Sequence, residues 1–525
     1  MNNKQKTDMK KFLSIKAYLL IIILLVSCNE DIMNYSDPGA YDTSSYFETP
    51  EEIRQASTAT YLAFHSNSMV GYQWNSMFNV LAAEAEPTTA ALPNEPDIVP
   101  IWQYIHNNSS RAIENYWKML YRMILRANLT IDKADEYIQE NGDDADHIVS
   151  YSQGEAYFLR GWAYTQLAFY WGRVPIRTSF DQSDNIDAPR AGNVDEVWAV
   201  AESDLIKAQT LLPDSWDTKN VGRATKGAAT GFLGKLYLYN EDYAKADAEF
   251  SKLEGQYSLL PREQYMDNFG ETNDNNEEGV FEVQYAWYPG SWKYGLFSSP
   301  EGRTSPSNMN VVPTLYSWNE WGNWKFPDRR AADFVYEDEN GETYVDPRAE
   351  YTFYGGIGDN TWQDNLPEGP VPFDFENLGY WYKKFTNKED KIRNSGESGN
   401  NIRLMRYADV LLMKAESRLN LGDLEGSLSL INEVRERVGA FTYNNTYTAE
   451  ETFDLLIRER QLELMGEQHR FNDLKRWGLL REVMNVELNA RFGTQNVEDK
   501  HYLFPIPKNE IDSNFGLGEV SNEWN

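Results

Sequence analysis

Cysteine is nearly absent from this chain of 525 residues: there is one, Cys28. A disulfide needs two, so no internal disulfide framework holds the fold. Histidine is scarce as well, with five residues scattered at 65, 106, 147, 469 and 501. No His-Glu-x-x-His and no cysteine–histidine cluster is present, so a catalytic or structural zinc centre has no candidate ligands. Basic residues are outnumbered, 49 Lys and Arg against 81 Asp and Glu. Such a negative field repels phosphate backbones and anionic lipid heads, which excludes nucleic acid as a natural partner. Long apolar runs are missing too. The one pronounced run, Ala17 to Val26, has ten residues, about half of what a spanning helix needs. A Gly-rich phosphate loop and a Gly-x-Ser-x-Gly nucleophile elbow are both absent.

What is present begins with that short run. Lys4, Lys6, Lys10, Lys11 and Lys16 precede it and Ser27 follows it. Basic, apolar and small segments in that order form an export signal. Leu25-Val26-Ser27-Cys28 resembles a bacterial lipobox, which gives the lone cysteine a use as the lipidated N-terminus of the mature chain. Acyl chains contribute about 0.8 kcal/mol per buried CH₂, so several on one residue anchor a soluble body stably. Removing residues 1–27 takes away five lysines and one aspartate. That leaves 44 basic against 80 acidic residues, a net charge of −36.

With 41% hydrophobic residues, 16 Trp, 33 Tyr and 24 Phe, the chain is globular. Residues 1–27 are read as the signal peptide and 28–48 as a lipidated tether. Pro50-Glu51-Glu52 is expected to open the first helix. Helix-period apolar spacing dominates 49–255 and returns in 402–525. Ile113, Trp117, Leu120, Tyr121, Ile124 and Leu125 make one stripe. Ala156, Leu159, Trp162, Ala163, Leu167 and Tyr170 make another. Two turns match each other, around Asp242 and around Asp423. Gly234 aligns with Ala415, Ala246 with Ser427 and Phe250 with Ile431, the small-then-large pattern of tetratricopeptide-like helix pairs. Between the helical parts, residues 256–401 form an irregular insertion rich in Gly, Asn, Pro and Trp. It holds short strand-like runs such as Val280 to Tyr285. Its Asp274-x-Asn276-x-Glu278-Gly279 begins like a calcium loop, but the twelfth position is Tyr285 and not Glu. The fold expected is mainly α, a scaffold of helix pairs carrying a large loop-rich insertion.

Five phrases in order then point one way: Tyr116-Trp117 with Leu120-Tyr121 and Ala127-Asn128; Phe158-Leu159-Arg160-Gly161 with Tyr170-Trp171-Gly172-Arg173-Val174-Pro175; Asp346-Pro347-Arg348; Arg406-Tyr407-Ala408-Asp409 with Ala415-Glu416; and Ile457 to Arg460 with Glu463, Glu467, Arg470, Asp473 and Arg476-Trp477-Gly478. Together with the lipobox they resemble the SusD/RagB family of Bacteroidota surface lipoproteins. The resemblance implies four tetratricopeptide-like helix pairs supporting an irregular ligand-binding half. It implies display at the outer-membrane surface and a SusC-like TonB-dependent transporter as partner, in polysaccharide utilisation. Glu459, Arg460, Glu463, Glu467 and Arg470 stand at helical spacings and are expected to pair along one face as scaffold charges.

Aromatic plates suit sugars, whose axial C–H faces leave water on stacking, while amides and carboxylates pair the rim hydroxyls. Three segments offer this chemistry. Gly71 to Asn75 contains Trp74 and Asn75. Trp287 to Tyr294 contains Trp287, Tyr288 and Trp292. Trp318 to Trp324 contains Trp318, Asn319, Glu320, Trp321, Asn323 and Trp324. Trp362 is a weaker candidate. The six tryptophans at 74, 287, 292, 318, 321 and 324 are expected to stack on ligand, with Asn75, Asn319, Glu320 and Asn323 on hydroxyls. The reading is a non-catalytic glycan-binding lipoprotein with no cofactor and no metal, taking a neutral polysaccharide or oligosaccharide such as a β-glucan. A peptide-binding member of the same family, a glycoside hydrolase and a protein-binding scaffold stay open as alternatives.

Overall fold

The computed structural model describes residues 46–89, 91–181, 187–286, 310–317, 321–355, 361–362, 371–372, 374–385, 398–520 and 524. The chain divides into an N-terminal unit, Met1–Glu52, and a main unit, Ile53–Asn525. In the first, Thr49 donates from its amide and its hydroxyl to the Glu52 carboxylate at 2.9 and 2.8 Å. This caps the helix Pro50–Tyr61 (α1) where Pro50-Glu51-Glu52 predicts a start. Cys28 and the rest of the expected signal and tether to residue 45 lie outside the described residues. Among the described residues no helix is long and apolar enough to cross a membrane.

The main unit is built on helices. After α2 (Tyr72–Leu81) come α3 (Arg111–Asn141), α4 (Ile148–Trp171), α5 (Val194–Leu211), α6 (Lys226–Tyr239) and α7 (Tyr243–Ser251). Following the insertion come α8 (Tyr407–Asn420), α9 (Leu424–Arg437), α10 (Ala449–Glu463), α11 (Arg470–Arg476) and α12 (Leu480–Phe492). From α3 to α10 each helix packs on the next, α7 against α8 included. The insertion therefore leaves one continuous helical array and rejoins it.

The two matching turns do the same job. Asp242 caps α7 by accepting from the Lys245 amide, and Asp423 caps α9 by accepting from the Gly426 amide. Each cap is worth about 1 kcal/mol. Ala246, Phe250, Ser427 and Ile431 are all fully buried, as the small-then-large pattern predicts. At Gly234 an added Cβ would stand 2.6 Å from the Phe250 ring, so only glycine admits this approach of α6 to α7.

The strand-like run in the insertion is real. Gly279–Val283 (β2) pairs antiparallel with Ile402–Arg406 (β4), Val283 opposite Ile402 and Glu282 opposite Arg403. Glu86–Pro87 (β1) pairs with Trp324–Lys325 (β3), tying the early chain to the insertion.

The charges of α10 behave differently from the expectation of pairing along one face. They face inward and are buried. Glu459 takes Arg348 at 2.6 Å and Arg435 at 2.9 Å. Glu463 takes Arg406 at 2.6 Å, and Arg460 pairs with Asp473 at 2.8 Å and Asp409 at 3.0 Å. Just beyond α10, Glu467 accepts from Arg406 and Lys384. The partners come from elements distant in sequence, so helical spacing could not reveal them. The motif phrases around 346, 406 and 457–476 are thus pieces of one buried ionic network. Burial alone would raise the Glu463 carboxyl, but Arg437, Arg406 and Arg348 hold it far below the carboxylate range.

Candidate functional site

The rim of the candidate site is assembled from two of the predicted segments and one that sequence reasoning missed. Residues 322–324 lie on 86–88. The Thr88 amide donates to the Asn323 carbonyl at 2.9 Å, and its hydroxyl donates to the Gly322 carbonyl at 2.8 Å. Gly322 takes φ +56 with the Trp381 ring 3.2 Å from where a Cβ would stand, a position open only to glycine. This places Asn323 beside the start of α2. Its side-chain amide donates to the Tyr72 hydroxyl at 3.0 Å and to Glu95 Oε1 at 2.6 Å. The Tyr72 and Trp321 rings meet edge to face, centroids 6.4 Å apart. Tyr72, Trp321 and Asn323 are each part-exposed, whereas Glu95 is 5% exposed. Burial pushes the Glu95 carboxyl up to about 7, against the Asn323 hydrogen bond and with help from Asp97. Two aromatic faces and an amide at a surface edge can stack on an apolar face and pair hydroxyls in the same ligand.

Three predicted contact residues fall inside the protein instead. Trp324 is fully buried in β3, and Trp74 is 8% exposed with its ring edge-on to Phe78 at 5.4 Å. Trp74 and Phe78 are one helical turn apart on α2, so the tryptophan joins the core face. Alternation along β3 puts Trp324 and Phe326 inward and leaves Asn323 and Lys325 part-exposed. Neither ring offers a free face for stacking. Asn75 is 2% exposed and is used internally, its Oδ1 accepting from the Tyr316 hydroxyl at 2.6 Å. Trp287, Tyr288, Trp292, Trp318, Asn319 and Glu320 lie outside the described residues, and Trp362 stands in a two-residue strand paired with Val371–Pro372. Tyr72 and Glu95 were missed. Tyr72 lay inside a flagged segment, but nothing near Glu95 marks it.

Two family models cover most of the chain. "SusD family" matches residues 273–524 and "Starch-binding associating with outer membrane" matches 43–238. The chain belongs to the SusD/RagB family. A SusD-like protein P25 of Formosa agariphila is 27% identical, with 96% of this chain and 97% of that protein covered. The crystal structure of a SusD superfamily protein from Bacteroides vulgatus superposes with a TM-score of 0.73 at 25% identity, covering 90% of this chain and 98% of that one. Surface glycan-binding protein A from Bacteroides thetaiotaomicron, solved in complex with laminarihexaose, has the same fold. Its TM-score is 0.69 at 22% identity, covering 89% of this chain and 98% of that one.

In this SusD-family chain a second feature lies where described parts of the insertion meet Asn75 of α2. Asn75, Asn268, Asn310, Asn400, Asn401 and Gln468 line a pocket of about 40 Å³ with Phe269 and Phe385. A water needs about 10–15 Å³, so the pocket has room for a few waters. Gln468 takes φ +63 there, a left-handed conformation rare outside glycine. Asn310 is fixed at the pocket wall, pairing in a β-bridge with Ser398 and donating to the Asn400 carbonyl at 2.9 Å.

The segment that begins like a calcium loop has its carboxylates engaged within the protein. Glu278 takes Arg406 at 2.8 Å and Arg437 at 3.1 Å, and Asp274 accepts from Arg403 at 3.1 Å. Among the described residues no group of three or more His, Cys, Asp or Glu is placed to hold a metal.

Proposed function

We propose that this SusD-family protein is a cell-surface lipoprotein that binds a glycan without cleaving it and passes it to a TonB-dependent transporter in the outer membrane. The observation that carries the reading is the part-exposed Tyr72–Trp321 pair with the Asn323 amide on the Tyr72 hydroxyl. The rings supply apolar faces for sugar C–H groups, and Asn323, whose amide N–H group goes to Tyr72 and Glu95, supplies Oδ1 as an acceptor for a hydroxyl. The acidic surplus disfavours an anionic glycan, so the ligand class is a neutral one. A β-glucan is the choice within that class, supported by the structural neighbour bound to laminarihexaose. Trp287, Tyr288, Trp292, Trp318, Asn319 and Glu320 are the sequence-based candidates to extend the platform. Attachment through Cys28 and outer-membrane location rest on the lipobox and on the matched description "associating with outer membrane".

The test is native affinity electrophoresis of the acyl-free protein, lacking residues 1–28, through gels containing neutral and anionic polysaccharides. Retardation by a neutral β-glucan such as laminarin, weakened in Trp321→Ala and Tyr72→Ala, is expected. Unchanged mobility in every gel would overturn the polysaccharide reading and bring peptide capture forward.

A further inference from the structure

Glu95 raises a question that glycan contact does not answer: it is nearly buried, yet it makes a 2.6 Å bond to the one polar side chain of the rim that is part-exposed and already joined to Tyr72. We infer that Glu95 is a positioning residue, which acts through Asn323 to hold the Tyr72 ring and the Trp321 segment in one fixed arrangement for ligand. The inference rests on the glycan-binding reading of the rim.

The geometry supports this step by step. Glu95 sits in a single turn held by its own backbone. Its amide donates to the Ala91 carbonyl at 2.9 Å, and its carbonyl accepts from the Ile98 and Val99 amides at 3.1 and 3.0 Å. That turn belongs to the same stretch of chain whose residues 86–88 carry the 322–325 segment. The Glu95 carboxyl is thus carried by the same part of the chain that pairs with the segment. Asn323 shares one side-chain amide between Glu95 and Tyr72, so its orientation is over-determined. The Glu95 carboxyl oxygen can accept from the Asn323 amide in either protonation state, and its loss would free the amide to turn. Turning Asn323 would remove one contact of the Tyr72 hydroxyl, and the Trp321 ring, two residues away, packs on Tyr72. Among the described residues, Asp97 is the charged group that bears on Glu95, and it pushes the carboxyl in the same direction as burial does.

The experiment compares Glu95→Gln, Glu95→Ala, Asn323→Ala and the Glu95→Ala/Asn323→Ala double variant. Two readouts are taken: affinity for laminarihexaose by calorimetry, and the fluorine resonance of Trp321 in protein labelled with 5-fluorotryptophan. That resonance is identified by its loss in Trp321→Phe. Glutamine keeps the acceptor oxygen, so Glu95→Gln is expected within about threefold of wild type with an unmoved Trp321 resonance. Glu95→Ala and Asn323→Ala are each expected to weaken binding about tenfold and shift or broaden the resonance. The double variant is expected to lose no more than Asn323→Ala alone, because Glu95 acts through Asn323. Losses that multiply in the double variant would overturn the inference. So would a Glu95→Ala protein that melts lower but binds as wild type with an unmoved resonance, the mark of a merely structural role. If wild type fails to bind laminarihexaose, the β-glucan reading falls, while the ligand-free Trp321 resonance still decides the positioning claim. Should Glu95→Ala not fold, Asn323→Ala and Glu95→Gln carry the same comparison.

Discussion

Arg406, at the end of β4, donates from Nη1 to Glu463 on α10 at 2.6 Å and grips Glu467 with Nε and Nη2 at 2.7 and 2.8 Å. One guanidinium thus ties the returning insertion to the C-terminal helices, and it is 1% exposed. The arrangement is a trade between desolvation and pairing: each charge is costly alone and stable only with its partners present.

Breaking that trade on one side should be severe. Arg406→Met leaves Glu463 and Glu467 buried with fewer partners, and a loss of about 3–5 kcal/mol is expected. Chemical denaturation at pH 7 checks it. A midpoint equal to wild type would mean that the network contributes no net stability.

Glu84 should make the protein weaker in mild alkali. It is 1% exposed, and burial pushes its carboxyl up to about 7, over the opposing pull of Arg470, the Gly466 amide, Arg330 and Lys384. The folded state therefore holds a proton that the unfolded state gives up near 4.5. The stabilisation from that carboxyl is present below 4.5 and is lost as pH rises through about 7, amounting to about 3 kcal/mol by pH 8. Glu84→Gln should melt above wild type at pH 8 and level with it at pH 5. Parallel melting curves across that range would refute the assignment.

Two histidines should act in the opposite direction. His106 stacks on Trp524 at 5.3 Å and meets His501 edge to face at 5.3 Å, both nearly buried. Burial pushes His106 down to about 3, with His501 and Lys500 adding to it; burial and then Lys500 push His501 down to about 4. For a base with a depressed folded value, the stabilisation is complete above the unfolded value of 6.5 and lost as pH falls below it. At pH 5 the cost is about 2 kcal/mol for each ring. His106→Phe should reduce the acid slope in a melting series from pH 7 to 5, with His501, His469 and His65 supplying the part that remains. An unchanged slope would count against it.

Trp324 and Trp321 offer a control for the binding site. Trp324→Ala opens a core cavity and should cost about 3–5 kcal/mol of stability. Trp321→Ala removes a part-exposed ring and should leave the melting temperature close to wild type while weakening glycan capture by about 1–2 kcal/mol, roughly five- to thirtyfold. Thermal melting run beside the affinity gels separates the two. Equal effects from both variants would mean that the inside–outside division is wrong.

Features set by interactions within a few residues could be read before folding. The helix pairs were legible because apolar period and capping aspartates act within a few residues, as at Asp242 and Asp423. The β2 run was legible from its apolar, β-branched make-up. The charges at Glu459 and Glu463 were legible as scaffold charges, but their partners Arg348 and Arg406 were not, since those lie 111 and 57 residues away in the chain. Among the tryptophans, only tertiary structure decided which face water. Trp321 and Trp324 are the same residue three positions apart, yet pairing of β3 with β1 turns one into the core and leaves the other beside Tyr72. Glu95 carries no mark in the sequence at all. Its role comes from a chain turn that brings it to Asn323, 228 residues away, and contacts at that distance are set by how the whole fold closes.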